Sequence, residues 1–222
     1  MPRIVAIADT HLYHDDLPAL PDGDILIHAG DLLQRGDLDE LERGLEWLER
    51  LPHQHKILVA GNHDVCFEKT PERARAMIPE GIIYLQDEET TLLGLRIYGS
   101  PWQPAYNEWG FNLPRGEQLA EKWALIPSGI DILVTHGPPK GYGDREFVPG
   151  RGGCEDLLAA LDRVRPRLHL YGHIHHAGGC WARAGSVLAN VTTWESERPA
   201  SVFDIDATTP GIFPIEVPPA ET

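Results

Sequence analysis

Aspartate, asparagine and histidine recur in five short clusters: Ala8-Asp9-Thr10-His11, Ala29-Gly30-Asp31, Ala60-Gly61-Asn62-His63-Asp64, Thr135-His136-Gly137 and Gly172-His173-Ile174-His175. These residue types suit a pair of divalent metals. Imidazoles and carboxylates bind Mn²⁺, Fe or Zn²⁺, and one aspartate can bridge two ions about 3.5–4 Å apart. The candidate ligands are Asp9, His11, Asp31, Asn62, His136, His173 and His175, and no thiolate is needed among them. Gly30, Gly61 and Gly172 sit beside them, where a missing side chain lets the backbone turn sharply or approach closely. In Asp9-Thr10-His11, strand alternation is expected to put both side chains on one side, within reach of a single ion. A strand-end Asp or His taken alone is more often a cap or turn residue; five clusters together are not explained that way.

Something must bring these distant clusters together, and the runs before them supply it. Apolar stretches rich in β-branched residues, Arg3 to Ala8, Asp24 to His28, Lys56 to Ala60, Asp131 to Thr135 and Arg167 to Tyr171, each read as a buried strand ending in a cluster. In an open α/β sheet the C-terminal strand ends form one crevice where ligands bind. Helical patterns lie between them: Leu38 to Leu51 with a leucine stripe, Leu113 to Ile126 opened by Pro114, and Cys154 to Arg165 ending before Pro166. The last third reads as successive strands, Ser186 to Thr193, Ala200 to Ile205 and Gly211 to Val217, forming a second sheet packed on the first. The expected class is α/β, an αβ sandwich with helices outside. Residues 1–217 are expected to form a single domain, and 218–222 a frayed Pro-rich tail.

The chain has 222 residues, enough for one sizeable core. No segment approaches the ~20 consecutive apolar residues of a membrane-spanning helix. The first apolar run begins almost at once, so no secretory leader is expected. Cys66, Cys154 and Cys180 are odd in number, with no C-x-x-C pair, and read as reduced thiols of a cytoplasmic protein. A formal net charge of −15 should repel nucleic-acid polymers and anionic membranes. A small substrate is expected; the sequence does not set an oligomeric state.

D-x-H, G-D, G-N-H-D, a strand-end His followed by Gly, and G-H-x-H, in this order, resemble the motif set of the calcineurin-like metallophosphoesterases. The stretches Ile97 to Trp102, Trp109 to Gly116 and Thr135 to Pro139 look like the metallophosphoesterase-domain-containing, or class III phosphodiesterase, branch. The resemblance implies a four-layer αβ sandwich with two mixed β-sheets flanked by helices. It implies one metal held by Asp9, His11, Asp31 and His175, and a second held by Asp31, Asn62, His136 and His173, with Mn²⁺ the expected ion and Fe or Zn²⁺ the alternatives. It further implies in-line attack by a metal-bridging hydroxide, with His63 protonating the leaving oxygen and Asp64 orienting His63. Some vertebrate members of this branch carry Gly at the first His of the last motif; this chain keeps His173, which favours turnover. The activity implied is phosphodiester hydrolysis on small substrates such as cyclic nucleotides. Its rivals are a phosphomonoesterase, including a protein phosphatase, and a weakly active metal-binding scaffold.

The remaining residues have quieter readings. His14, His28, His53, His55, His169 and His176 are expected to be structural or on the surface. Trp102, Tyr106, Trp109 and Phe111 either line a pocket for a base or form a satellite core. The loop 137–153, with Lys140, Arg145 and Arg151, follows a ligand strand and can reach over a substrate. The acidic stretches Asp37 to Glu40 and Asp87 to Glu89 are expected to be solvated faces or helix N-terminal charges.

Overall fold

The computed structural model describes residues 1–145, 152–206 and 212–216. Arg151 and the expected tail at 218–222 lie outside the described residues. In chain order the strands are β1 (Arg3–Ile7), β2 (Ile25–Ala29), β3 (His55–Val59), β4 (Ile82–Tyr84), β5 (Glu88–Leu92), β6 (Leu95–Ser100), β7 (Gln103–Pro104), β8 (Asn112–Leu113), β9 (Ile132–Thr135), β10 (Leu168–Tyr171), β11 (Gly179–Arg183), β12 (Ser186–Asn190), β13 (Ser201–Ile205) and β14 (Ile212–Glu216). The α-helices are α1 (Leu38–Arg50), α2 (Cys66–Lys69), α3 (Pro71–Ala76), α4 (Glu117–Ala124) and α5 (Glu155–Val164).

Two six-stranded sheets result, in the orders β14-β13-β1-β2-β3-β4 and β11-β12-β10-β9-β6-β5. The expected strands therefore divide: β1, β2 and β3 belong to one sheet and β9 and β10 to the other. The last third does not build the second sheet alone. β13 extends the first sheet antiparallel to β1 and β14 pairs antiparallel with β13, whereas β11 and β12 join the second. Each sheet keeps a parallel centre, β1-β2-β3-β4 in one and β12-β10-β9-β6 in the other. Parallel strands end on the same edge, so all five clusters reach the rim of the sandwich.

Alternation along the strands explains the layers. Ile4, Ala6, Ile25, Ile27, Ile57 and Val59 of the first sheet meet Ile97, Ile132, Val134, Leu168 and Leu170 of the second in one buried interior. The opposite face of the first sheet, with Val5, Ile7, Leu26 and Leu58, is covered by Leu41, Leu45 and Leu48 of α1 and by Phe67. The outer face of the second sheet is covered by Leu119 and Trp123 of α4 and Leu157 and Leu161 of α5. Helix, sheet, sheet, helix is the four-layer order expected. At the rim the sheets are stitched together, since Ala8 bridges Thr192 and the Thr193 amide donates to the Ala8 carbonyl at 2.8 Å.

One local reading changes. The helix expected from Leu113 begins only at Glu117, because Asn112 and Leu113 pair with Gln103 and Pro104 as strands. Gly116, at φ 94°, then turns the chain into the helix. Hairpin β5–β6 turns through Leu93 and Gly94, both with positive φ, the geometry that follows the twist of its strands.

Candidate metal centre

The seven candidate ligands converge at the rim, but strand alternation does not place Asp9 and His11. Both lie past the end of β1 in left-handed backbone, at φ 58° and 43°, and Asp31 and His173 are also left-handed at 57° and 70°. Such conformations cost roughly 1–2 kcal/mol each in a side-chain-bearing residue. Cross-connections hold them: the Asp9 amide donates to the Gly30 carbonyl at 2.9 Å and the His11 amide to the Asp31 carbonyl at 3.1 Å. The Glu195 amide donates to the Asp9 carbonyl at 3.0 Å. The His173 amide closes the ring onto the Asp9 carboxylate at 3.0 Å.

Three groups of side chains gather there: Asp9, His11 and His175; His11, Asp31 and His63; Asp31, His136 and His173. His11 Nε2 lies 3.2 Å from His175 Nε2, and His175 Nε2 lies 3.8 Å from Asp9 Oδ1. Asp31 Oδ2 stands between the two sides, 3.7 Å from His11 Nε2 and 3.3 Å from His136 Nε2. Asn62 Oδ1 completes the second side, 2.9 Å from His136 Nε2. Ligands bound at about 2.0–2.2 Å are separated from their neighbours by about 2.8–3.6 Å in octahedral or tetrahedral shells. The donor spacings and the all-nitrogen-and-oxygen donor set fit divalent ions on both sides of Asp31.

Close approach requires the neighbouring glycines. A Cβ on Gly61 would overlap the Asp31 carboxylate and come 2.7 Å from His136 Cε1, and one on Gly172 would lie 2.5 Å from Asp9 Oδ2. Gly30 similarly lies under the His136 ring.

Electrostatics follow from burial. Burial disfavours the charged form of His136, but the Asp31 carboxylate outweighs it and lifts the imidazole to about 9. Burial would raise Asp31, yet His136, His11 and His63 hold it well below the ordinary carboxylate range. His173 is pushed down to about 3, by burial and then by His136, so it presents a neutral ring. Burial also lowers His11. Asp64 is raised to about 7 by burial and by the Asp31 charge, against the pull of the amides it accepts.

Asp64 does not orient His63. Its oxygens accept the backbone amides of Gly61 at 2.7 Å, Asp31 at 2.9 Å and Leu33 at 2.9 Å, which ties the second and third clusters together. His63 is held by the Gln34 carbonyl, which accepts from Nδ1 at 2.6 Å. That carbonyl can only accept, so Nδ1 carries the proton and Nε2 is the ring nitrogen left for the site. Trp109 stacks on the His63 ring with centroids 3.9 Å apart, and His11 meets it edge-on at 4.6 Å.

Buried His28 and His169 have the same role in opposite sheets. His28 Nε2 bonds Thr10 Oγ1 at 2.9 Å, and His169 Nε2 bonds Thr135 Oγ1 at 2.9 Å, so each fixes a threonine next to a candidate ligand. His14 stacks on Trp47 and His53 bonds the Pro21 carbonyl, both structural as expected. The aromatic run divides. Trp102 and Phe111 pack edge-on in the core, whereas Tyr106 meets the His173 ring edge-on at 5.6 Å. Lys140 pairs with Glu155 on the surface, and Arg145 is exposed.

Both acidic stretches contain a residue that is not a solvated charge. Glu40 is buried and accepts amides of the preceding loop, and Asp87 accepts from Ser100 Oγ, Trp102 Nε1 and Lys122 Nζ. Asp37-x-x-Glu40 has the spacing of a helix capping box, whose Glu normally reaches back to the cap's own amide; here Glu40 reaches past it to the amides of residues 34–36.

A family model for calcineurin-like phosphoesterases matches residues 2–177. Metallophosphoesterase domain-containing protein 1 of Homo sapiens is 42% identical over 233 residues, covering 91% of this chain and 71% of that protein. A probable cyclic nucleotide phosphodiesterase of Synechococcus sp. is 29% identical over 161 residues, 69% of this chain and 58% of its own. Among solved structures, TT1561 of Thermus thermophilus superimposes with a TM-score of 0.64 at 15% identity, covering 99% of each chain, a likeness of fold.

Proposed function

Given that the chain belongs to the calcineurin-like phosphoesterase family, we propose that it is a two-metal phosphodiesterase acting on small esters such as cyclic nucleotides. The observation that carries this reading is the place of Asp31 Oδ2, shared between His11 Nε2 at 3.7 Å and His136 Nε2 at 3.3 Å. Asp9, His11, Asp31 and His175 would hold one ion, and Asp31, Asn62, His136 and His173 the other. When bound, such a pair supplies Lewis-acid polarisation of the phosphoryl group and activation of water. Mn²⁺ is the ion we expect first, with Fe or Zn²⁺ accepted by the same donors.

This chain's own residues supply the rest. His63, whose Nδ1–H is fixed on the Gln34 carbonyl, takes up a second proton at Nε2 and, as imidazolium, passes that proton to the leaving oxygen as the ester bond to phosphorus breaks. Asp64 keeps the Asn62-His63 turn against Asp31 by gathering the backbone amides of both loops. The diesterase preference draws support from the Synechococcus relative's name, and the small-substrate reading from the net charge of −15. The free cysteines support a reducing compartment such as the cytoplasm, and no helix among the described residues is long and apolar enough to cross a membrane.

The test compares metal-free protein with protein given Mn²⁺, on bis(p-nitrophenyl) phosphate, p-nitrophenyl phosphate and a cyclic nucleotide. Activity should appear with metal and favour the diesters. A large preference for the monoester sinks the diesterase reading, and hydrolysis at background with full metal occupancy sinks the enzyme.

A further inference from the structure

Glu40 lies at the third position of α1, buried at 6% exposure, yet it has no place in the ligand groups. Its Oε2 accepts three successive amides, Gln34 at 3.1 Å, Arg35 at 2.7 Å and Gly36 at 3.0 Å. The helix end fixes Glu40 in turn, since its own amide donates to Asp37 Oδ1 at 2.8 Å. The loop so gathered touches His63 twice. The Gln34 carbonyl accepts from His63 Nδ1 at 2.6 Å, and Gly36, at φ 79°, packs so tightly that a Cβ there would overlap the His63 carbonyl and come 2.9 Å from Val65 Cβ.

From this chain of contacts we propose that Glu40 is a positioning residue for His63: by gathering the 34–36 amides, it aims the Gln34 carbonyl that fixes the tautomer and direction of the His63 ring. The proposal rests on the reading of His63 as proton donor. A carbonyl in a loop has no stiffness of its own, and a single carboxylate oxygen holding three amides supplies it. Without Glu40 the loop relaxes, Nδ1–H loses its fixed acceptor, and Nε2, the nitrogen that takes up and delivers the second proton, faces the leaving oxygen less often.

The experiment uses the Mn²⁺-loaded protein and two esters that differ in leaving group. A cyclic nucleotide expels an alkoxide, which needs a proton; bis(p-nitrophenyl) phosphate expels a nitrophenolate, which does not. E40A should lower kcat on the cyclic nucleotide by about 10–100-fold, the usual loss for an outer-shell partner, and on the nitrophenyl ester by less than about threefold. In an H63A background, E40A should add nothing to the cyclic nucleotide loss. In ¹⁵N spectra of the metal-free protein, the His63 Nδ1–H tautomer should dominate in the wild type and give way to a mixture in E40A. If E40A does not fold, E40Q, which keeps the shape but weakens the acceptor, is measured in the same way and should show the same bias at smaller size.

Equal losses on both esters, further loss in H63A, or an unchanged His63 tautomer would overturn the positioning role. An H63A variant that loses equally on both esters instead removes the proton-donor reading itself, and that result is visible without any change at Glu40.

Discussion

A methyl group on Gly61 would sit inside the van der Waals envelope of both Asp31 and His136, the two residues whose separation sets the centre of the site. Neither can retreat freely, because the Asp31 amide is bonded to Asp64 and His136 Nδ1 donates to the Ala29 carbonyl at 3.0 Å. G61A is therefore expected to destabilise the fold by about 1–3 kcal/mol, the usual range for overpacking. It should also reduce bound metal below two equivalents, as read by urea unfolding and by metal analysis. Wild-type stability with full metal content would show that the site tolerates displacement. The ligand types were legible because imidazole and carboxylate chemistry is local to a residue. The partner of His63 was not, since a backbone carbonyl such as that of Gln34 leaves no mark on residue identity, and the family resemblance implied Asp64 instead.

At the scale of elements, α1 shows how a helix start can serve a site it does not enter. Asp37 caps the helix through the Glu40 amide, and losing such a cap costs about 1 kcal/mol. D37A is expected to lower unfolding free energy by that amount in chemical denaturation, and a change below a few tenths would mean water replaces the cap. The five buried strands were legible because fully buried parallel strands are continuous apolar runs. Their division between two sheets was not, since the same pattern serves either sheet. The start of α4 was misplaced for a different reason. Pro114 suits a first helical turn, but Asn112 donates its side-chain amide to the carbonyls of Tyr106, Asn107 and Trp109 and draws the segment into the preceding loop.

For the whole molecule, the layers packed on the outer faces of the two sheets leave His28 and His169 fully buried, each pushed by burial to about 3. Their unfolded value is about 6.5, so below that pH the unfolded chain binds protons that the folded chain refuses. Stability from this source is complete above pH 6.5 and falls as pH drops toward 3, by about 1.4 kcal/mol per pH unit for each histidine. H169N should flatten the acid limb by about one proton's worth of slope in urea midpoints measured between pH 7 and 4. An unchanged slope would mean His169 is charged in the folded state. The four-layer order was legible from alternation and motif order together; the return of β13 to β1 was not, because nothing local specifies a partner so far away. That pairing joins Ile4 to Phe203 and Ala6 to Ser201, and the strand it flanks delivers Asp9 and His11. During synthesis at about 5–20 residues per second, the first ligands would wait roughly 10–40 s for the strand that locks them in place. A nascent chain therefore carries the turn with Asp9 and His11 unanchored on one side for most of its synthesis.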